Sequence, residues 1–284
     1  MGTILSIQSH VAYGYVGNRA ATLPLQIMGH EVTAINTVQF SNHTGYGNWT
    51  GAVFPSGHIR DVLKGLTERG VMKDLSAVLS GYLGDASLGE VVLEAVSIAR
   101  EYNPDLVYCC DPVMGDVGRG FFVKDDIPPF FKDNVEYTDI LTPNQFELSA
   151  LTGKEVTTLD DVLQACQTLV DLGTRYVLVT SVETRDTPSD SIQMLLYSAK
   201  GKWIVTTPKI AFDTPPNGAG DMTTAVFLGH MQSGETPENA LALTASAIYG
   251  VFEKTKSMGR RELAIVQAQD CFKLTNAMYS AEAL

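Results

Sequence analysis

LVYCCDPVMGD, Leu106 to Asp116, is apolar without a break as far as Cys110 and then turns polar and glycine-bearing. Side chains of a strand point to opposite faces in turn, so a strand with one wet face alternates apolar and polar residues. This one does not alternate. Adjacent Cys109 and Cys110 face opposite ways, so each side of the strand meets a core, which predicts a parallel sheet with helices on both faces. Five other runs read as strands of the same sheet: TILSIQS (Thr3–Ser9), HEVTAIN (ending near Asn36), SAVLSG (Ser76–Gly81), TDILTPN (Thr138–Asn144) and RYVLVTS (Arg175–Ser181). Helical stretches lie between them, around Asn18–Met28, in LGEVVLEAVSIAREY and in DDVLQACQTLVDLG.

The pattern then changes. SIQMLLYSAKGKWIVTTP holds two extended runs joined by Ala199-Lys200-Gly201, a hairpin at the edge of the sheet. Mainly helices follow, one of them opening at Thr236-Pro237-Glu238 with threonine as cap and proline in the first turn. The tail after Met258 reads as helix-rich and packed on the core. No repeat, low-complexity tract or Pro/Gly/Ser-rich linker interrupts the order. The expected architecture is one α/β domain over residues 1–284, a three-layer, doubly wound, mostly parallel sheet with an edge hairpin.

Composition narrows the function. A net charge of −12 without a basic run excludes nucleic acid and anionic membranes as natural partners. MGTILSIQSHVAYGYVG lacks the basic and apolar regions of a signal peptide, and no stretch reaches the ~18 apolar residues of a membrane span. The four cysteines, Cys109, Cys110, Cys166 and Cys271, show no C-x-x-C spacing, which reads as reduced thiols and a cytoplasmic location.

The chemistry collects where strands end, because open parallel sheets bind ligands beyond the carboxyl ends of their strands. All six read strands end in polar residues. Asp111, Asp116, Thr142 and Glu147 are hard oxygen donors suited to Mg²⁺ or a monovalent cation, and converging carboxylates without a cation would repel one another. Taken singly, Asp111 and Glu147 could equally cap or pair with helices. Ser9, Tyr82 and the segment Ser41–Trp49, which carries His43, Thr44 and Tyr46, mix hydroxyls, an imidazole and aromatic rings in a way that suits a flat, polar-edged heterocycle. PPNGAGDMTTAVF, Pro215 to Phe227, adds two glycines directly before an aspartate at a helix start. Asp221 could simply cap that helix. It could also accept a proton beside an anion cradled by the N–H groups of Gly218, Ala219 and Gly220. Together these features form a phosphoryl-transfer constellation. The chain has no G-x-x-x-x-G-K-[ST], no H-R-D or D-F-G set, and no complete G-x-G-x-x-G after its first strand.

N-G-A-G-D (Asn217–Asp221) and N-Q-F-E (Asn144–Glu147) resemble the G-A/T-G-D and N-x-x-E motifs of the ribokinase-like superfamily. Within it, SIQSHVAYGYVGNRAATLPLQIMGHEV, NTVQFSNHTGYGNWTG, SGYLGD, CDPVMGD and LTPNQFE are similar to the pyridoxal kinase family, in the same order over roughly residues 3 to 255. The diglycine substrate segment and β-clasp insertion of the sugar-kinase branch are missing.

The resemblance implies a ribokinase-like fold and transfer of the γ-phosphoryl group of ATP to the 5′-hydroxymethyl group of pyridoxal, in vitamin B6 salvage. It makes Asp221 the base and the amides of Gly218, Ala219 and Gly220 the cradle of the developing charge. It puts Asp111, Asp116, Thr142 and Glu147 in the region of Mg²⁺ and a monovalent cation, K⁺ or Na⁺. It sets Asn144, Thr180, Ser181 and Thr214 along the nucleotide, with Asp111, Asp116 and Glu147 near it. It places Ser9, Val16, His43, Thr44 and Tyr82 around the pyridine ring, with Ser9 bonding its nitrogen. Asp116–Val123 resembles the loop that closes over both substrates. Some bacterial members carry Gly-Cys in that loop, whose thiol traps the aldehyde; Gly120-Phe121 stands here, so no hemithioacetal is expected. The family is typically a homodimer. The alternatives are a hydroxymethylpyrimidine kinase and a non-catalytic pyridoxal phosphate carrier.

Overall fold

The structure, a computed structural model, describes residues 2–284. β1 (Thr3–Val11), α1 (Asn18–Ile27) and β2 (Glu31–Phe40) lead into β3 (Gly51–Val53), α2 (Ser56–Glu68), β4 (Leu75–Ser80), α3 (Ala86–Tyr102) and β5 (Val107–Cys110). A small ribbon, β6 (Gly115–Asp116) and β7 (Gly120–Phe121), precedes α4 (Ile127–Asp133), β8 (Ile140–Leu141), α5 (Gln145–Thr152), α6 (Leu159–Asp171) and β9 (Tyr176–Val182). β10 (Ser191–Ser198) and β11 (Gly201–Pro208) form the hairpin, followed by α7 (Ala219–Gln232), α8 (Pro237–Ser257) and β12 (Glu282–Ala283).

Ten strands make one sheet in the order β12-β11-β10-β9-β8-β5-β4-β1-β2-β3. The six read from apolar runs, β1, β2, β4, β5, β8 and β9, pair in parallel, and β3, β10, β11 and β12 pair antiparallel at the two margins. Cys109 belongs to a core that includes Leu25 of α1, Phe227 of α7 and Leu241 of α8. Cys110 belongs to the other core, which includes Leu63 of α2, Val92 of α3 and Leu169 of α6. One strand thus touches both cores, and the three layers follow.

α7 is buried on every side from Met222 to His230, between α1 and α8. A helix apolar all round belongs inside a protein. Each of its large side chains contributes roughly 1.5–3 kcal/mol on burial, and that holds its first turn in place. α5 starts with a capping box between Asn144 and Glu147 and stops at Gly153, which is left-handed. Thr236 caps α8, its side chain accepting from the Asn239 N–H, with proline in the first turn.

Three expectations change. β1 and β2 run beyond Ser9 and Asn36 to Val11 and Phe40, because both continue to pair past a bulge at Ser9. The hairpin is not the outermost edge, since Glu282 and Ala283 of β12 cover β11 at Ile204 and Trp203. The tail after Met258 holds no α-helix, only one short 3-10 turn, Gln269–Lys273, and the two residues of β12, yet it buries Leu263, Ile265 and Phe272 in the core.

Candidate active site

β1 lies between β2 and β4, and the chain winds away from it in both directions. The carboxyl ends of β1 and β4 therefore border the crevice that such a switch point opens. Ser9 sits at the bulge in β1, where Gln8 pairs with Asn36 but His10 pairs with Gln39. Gly81 and Tyr82 follow β4 directly.

Asp221 stands in the first turn of α7, but it is not the cap. The cap is Gly218, left-handed at φ +86°, and no side chain caps the helix. A Cβ on Gly218 would lie 1.8 Å from the Tyr15 carbonyl oxygen. The first helical bond runs from the Met222 N–H to the Gly218 carbonyl. The N–H groups ahead of it have no helical acceptor and form a positive end suited to an anion.

Burial holds the Asp221 pKa above the usual carboxylate range, with the backbone N–H groups of Gly17 and of Asp221 itself opposing the rise. Gly17 approaches the Ser9 backbone so closely that a Cβ there would meet the Ser9 carbonyl at 2.1 Å. A Cβ on Gly81 would be 3.5 Å from Asp221 Oδ1. Asp221 thus lies beside Gly81, the residue before Tyr82, and near Gly17, which packs on Ser9. The start of α1 that delivers Gly17 is fixed by buried Asn18, which accepts from Ser6 Oγ at 2.7 Å and donates to the Ile35 carbonyl at 2.9 Å.

A second group of carboxylates meets the same turn. Asp111, at the end of β5, is 4% exposed and would lie 3.4 Å from a Cβ on Gly220. Its pKa is pushed far up by burial and then by Glu147 and Asp221, with the Thr224 hydroxyl opposing. Thr224 in turn bonds Thr142 at 2.7 Å.

Glu147 sits at about 7, raised by burial against bonds from the N–H groups of Asn144, Met114 and Gly115, with Asp116 adding to the rise. Its Oε1 accepts from the Met114 N–H and its Oε2 from the Asn144 N–H, both at 2.9 Å. Among the described residues no Lys, Arg or His pairs with Asp111, Asp116, Glu147 or Asp221. Unpaired carboxylates that raise one another fit a cation. Yet no group of three or more His, Cys, Asp or Glu among the described residues is placed to hold a metal ion. An ion here would take much of its shell from phosphate and water, which is how Mg²⁺ is commonly held.

Two loops cover the crevice. His43 opens a short turn, its Nδ1 accepting from the Gly45 N–H at 3.1 Å. Burial lowers its pKa, with Arg119 and Arg261 lowering it further and Glu262 opposing. Arg119 belongs to the β6–β7 ribbon, so the ribbon reaches the His43 loop. Phe121 of β7 packs edge-on against Phe146 with ring centroids 5.0 Å apart.

The structure gathers Asp221, Asp111 and Thr142 around the start of α7, with Glu147 beside Asp111, Val16 against Gly218, Ser9 against Gly17, and Gly81, the residue before Tyr82, next to Asp221. Asn144 bridges to Thr180 and donates to the Gly115 carbonyl at 2.9 Å. Asp116 is exposed, bonded to the Val117 N–H at 2.8 Å, at the base of the ribbon. Thr44 and Thr214 are exposed, and no hydrogen bond ties Thr214 to the carboxylates. Ser181 is exposed and left-handed at φ +52°, the one such non-glycine among the described residues. Residues held in that region tend to cluster at functional sites.

Sequence reasoning missed Gly17, Thr224, Arg119 and Glu262. Thr224 had a signal, lying one helical turn beyond Asp221. Glu262 had none, since its bond to the Tyr15 N–H spans 247 positions of chain.

Proteins of known family are similar to this chain in sequence and in fold. Residues 28–265 match the family described as phosphomethylpyrimidine kinase. The chain is 54% identical to the pyridoxal kinase PdxY of Rubrobacter xylanophilus over 94% of its own length and 92% of that protein's. It is 45% identical to the pyridoxal kinase PdxY of Corynebacterium diphtheriae over 98% of each. A solved pyridoxal kinase from Leishmania donovani, in complex with ADP and pyridoxamine, superposes with a TM-score of 0.92 at 29% identity and full coverage of both chains.

Proposed function

The chain belongs to the pyridoxal kinase family, and we infer that it acts as its relatives are named: it is a kinase that phosphorylates pyridoxal with ATP. The acceptor is the 5′-hydroxymethyl oxygen and the product is pyridoxal 5′-phosphate. Pyridoxine and pyridoxamine carry the same alcohol and are further substrates. The observation that carries this reading is Asp221, a carboxylate with a raised pKa at the bare start of α7, beside Gly81, which precedes Tyr82, and near Gly17, which packs on Ser9.

In the reaction the Asp221 carboxylate takes the alcohol proton as the oxygen attacks the γ-phosphorus. The bond from that phosphorus to the β-phosphate oxygen breaks, and ADP leaves. The raised pKa suits a group that must accept a proton near neutrality. The N–H groups of Gly218, Ala219 and Gly220 face the charge that builds on the transferring group. Ser9, Val16, His43, Thr44 and Tyr82 hold the pyridine ring, with Ser9 bonding its nitrogen. Asn144, Thr180, Ser181 and Thr214 flank the nucleotide.

Asp111 and Glu147, with Asp116 and Thr142 nearby, would hold Mg²⁺ and a monovalent cation; bound there, these ions supply neutralising charge for the phosphates. Glu147 also fixes the Met114–Gly115 turn from which the ribbon rises. The ribbon closes against the His43 loop and excludes water. The fully buried Cys109, Cys110 and Cys166 have pKa values pushed up by burial, Cys110 to about 12, so they supply no thiolate to trap the aldehyde. Residues 1–284 work as one cytoplasmic domain that pairs as a homodimer, a stoichiometry that sedimentation velocity checks.

Asp221→Asn keeps the fold and lowers kcat by about 10²–10⁴, the usual worth of a positioned base. Turnover within threefold of the native enzyme removes the role. The family's description favours one second reading, a hydroxymethylpyrimidine kinase. Side-by-side kcat/KM values decide it, and pyrimidine turnover well above pyridoxal turnover overturns the first reading.

A further inference from the structure

Arg261 and Glu262 lie far along the tail, beyond every motif that carries the chemistry, yet they end at the mouth of the site. Glu262 is 5% exposed. Its Oε2 accepts from the Tyr15 N–H at 3.1 Å, and its Oε1 accepts from the Tyr46 hydroxyl. Tyr15 belongs to the turn between β1 and α1 that delivers Val16 and Gly17. Tyr46 belongs to the loop that carries His43 and Thr44. One buried carboxylate therefore ties together the two segments that flank the heterocycle in the reading above.

The surroundings fit it closely. Gly14 is left-handed at φ +95°, and a Cβ there would meet Glu262 Oε2 at 2.4 Å. The Arg261 guanidinium lies 3.7 Å above the centre of the Tyr46 ring, and Tyr13 packs edge-on against the same ring at 6.1 Å. Tyr46 is held by its hydroxyl, its face and its edge. No Lys, Arg or His forms an ion pair with Glu262 among the described residues. Its carboxylate works through hydrogen bonds, and a charged acceptor makes these stronger than neutral ones.

We propose that Glu262 is a positioning residue for the alcohol substrate, holding the His43 loop and the Tyr15 turn at the separation that receives the pyridine ring. It touches neither the reacting atoms nor the nucleotide. The proposal rests on the pyridoxal reading, and the test keeps the two apart.

Steady-state kinetics of Glu262→Gln and Tyr46→Phe are measured with pyridoxal and ATP varied in turn, beside thermal unfolding. Glu262→Gln raises the pyridoxal KM about tenfold or more, as expected for losing hydrogen bonds to a charged group. Its kcat and its KM for ATP stay within about twofold of the native enzyme. Tyr46→Phe loses one of the two ties and shifts the same constant in the same direction by less. An unchanged pyridoxal KM in either folded variant overturns the proposal. So does a parallel loss in both KM values and kcat that tracks a fall in Tm, since that is what a merely structural glutamate does. If Glu262→Gln does not fold, the Tyr46→Phe result decides alone. A native enzyme that fails to phosphorylate pyridoxal removes the underlying reading instead.

Discussion

Asp221 owes its place to main chain more than to side chains. Gly218 turns the backbone under Tyr15, and Gly17 sets its N–H near the carboxylate while running against Ser9. Gly17 has φ +53° and ψ −132°, a region that glycine alone occupies without strain. Gly17→Ala adds a Cβ 2.1 Å from a carbonyl oxygen, with no flexible side chain to give way. The turn must move, and the N–H it sets near Asp221 moves with it. The expected result is a loss of about 2–4 kcal/mol in stability, from strain and clash together, with kcat falling at least about tenfold as the base loses an N–H that favours its charged form. Denaturant unfolding and steady-state kinetics on the same preparation check both, and native kcat with native stability shows that the turn is looser than these distances imply.

At the scale of elements, whatever was buried on both faces was legible. The six parallel strands follow from apolar runs, and α3 and α6 from periodicity, because deep burial imposes a pattern on sequence. α2 escaped notice because it lies on the surface: of Ser56–Glu68 only Ile59 and Leu63 are buried, and Gly57 and Gly65 weaken its propensity. β3, β6, β7 and β12 are two or three residues long, too short for any period to show. The carboxylates and the glycine cradle were legible because they follow strands or open a helix. The bonds from Glu262 and Arg119 were not, because tertiary packing alone brings them in. The β6–β7 ribbon shows how a short element gains rigidity from one contact. Phe121 is half-exposed and its main aromatic partner is Phe146. Such a pair contributes about 0.5–1.5 kcal/mol, which is comparable to the closure it supports. Phe121→Ala therefore leaves Tm nearly unchanged but raises ATP hydrolysis without acceptor relative to transfer, because the ribbon no longer keeps water out. Measuring ADP release against pyridoxal 5′-phosphate formed gives the ratio, and an unchanged ratio takes the sealing role from Phe121.

Among the groups that shape the pH response of the whole molecule, Glu147 and His230 pull in opposite directions. Glu147, held at about 7 by burial, favours a folded state in which it keeps its proton. Its share of stability is complete below the ordinary glutamate value near 4.5 and is lost as pH rises through about 7. His230 on α7 is pushed down to about 4, mainly by burial, with Glu235 opposing and His30 adding to the fall. The unfolded chain takes up that proton first, near 6.5. Stability from the neutral imidazole is therefore complete above 6.5 and is lost as pH falls towards 4, on the order of 3 kcal/mol across the window. A net charge of −12 at neutral pH shrinks over the same interval towards a pI near 4.8, so charge repulsion and aggregation change as well. Only a difference between two chains isolates the histidine. Urea unfolding of the native enzyme and of His230→Gln, at low protein concentration from pH 4 to 8, gives that difference. The variant gains on the native chain steadily below pH 6.5, and the difference is level above it. Two curves that stay parallel throughout mean that His230 titrates alike in both states and that burying its neutral ring is not what the fold exacts.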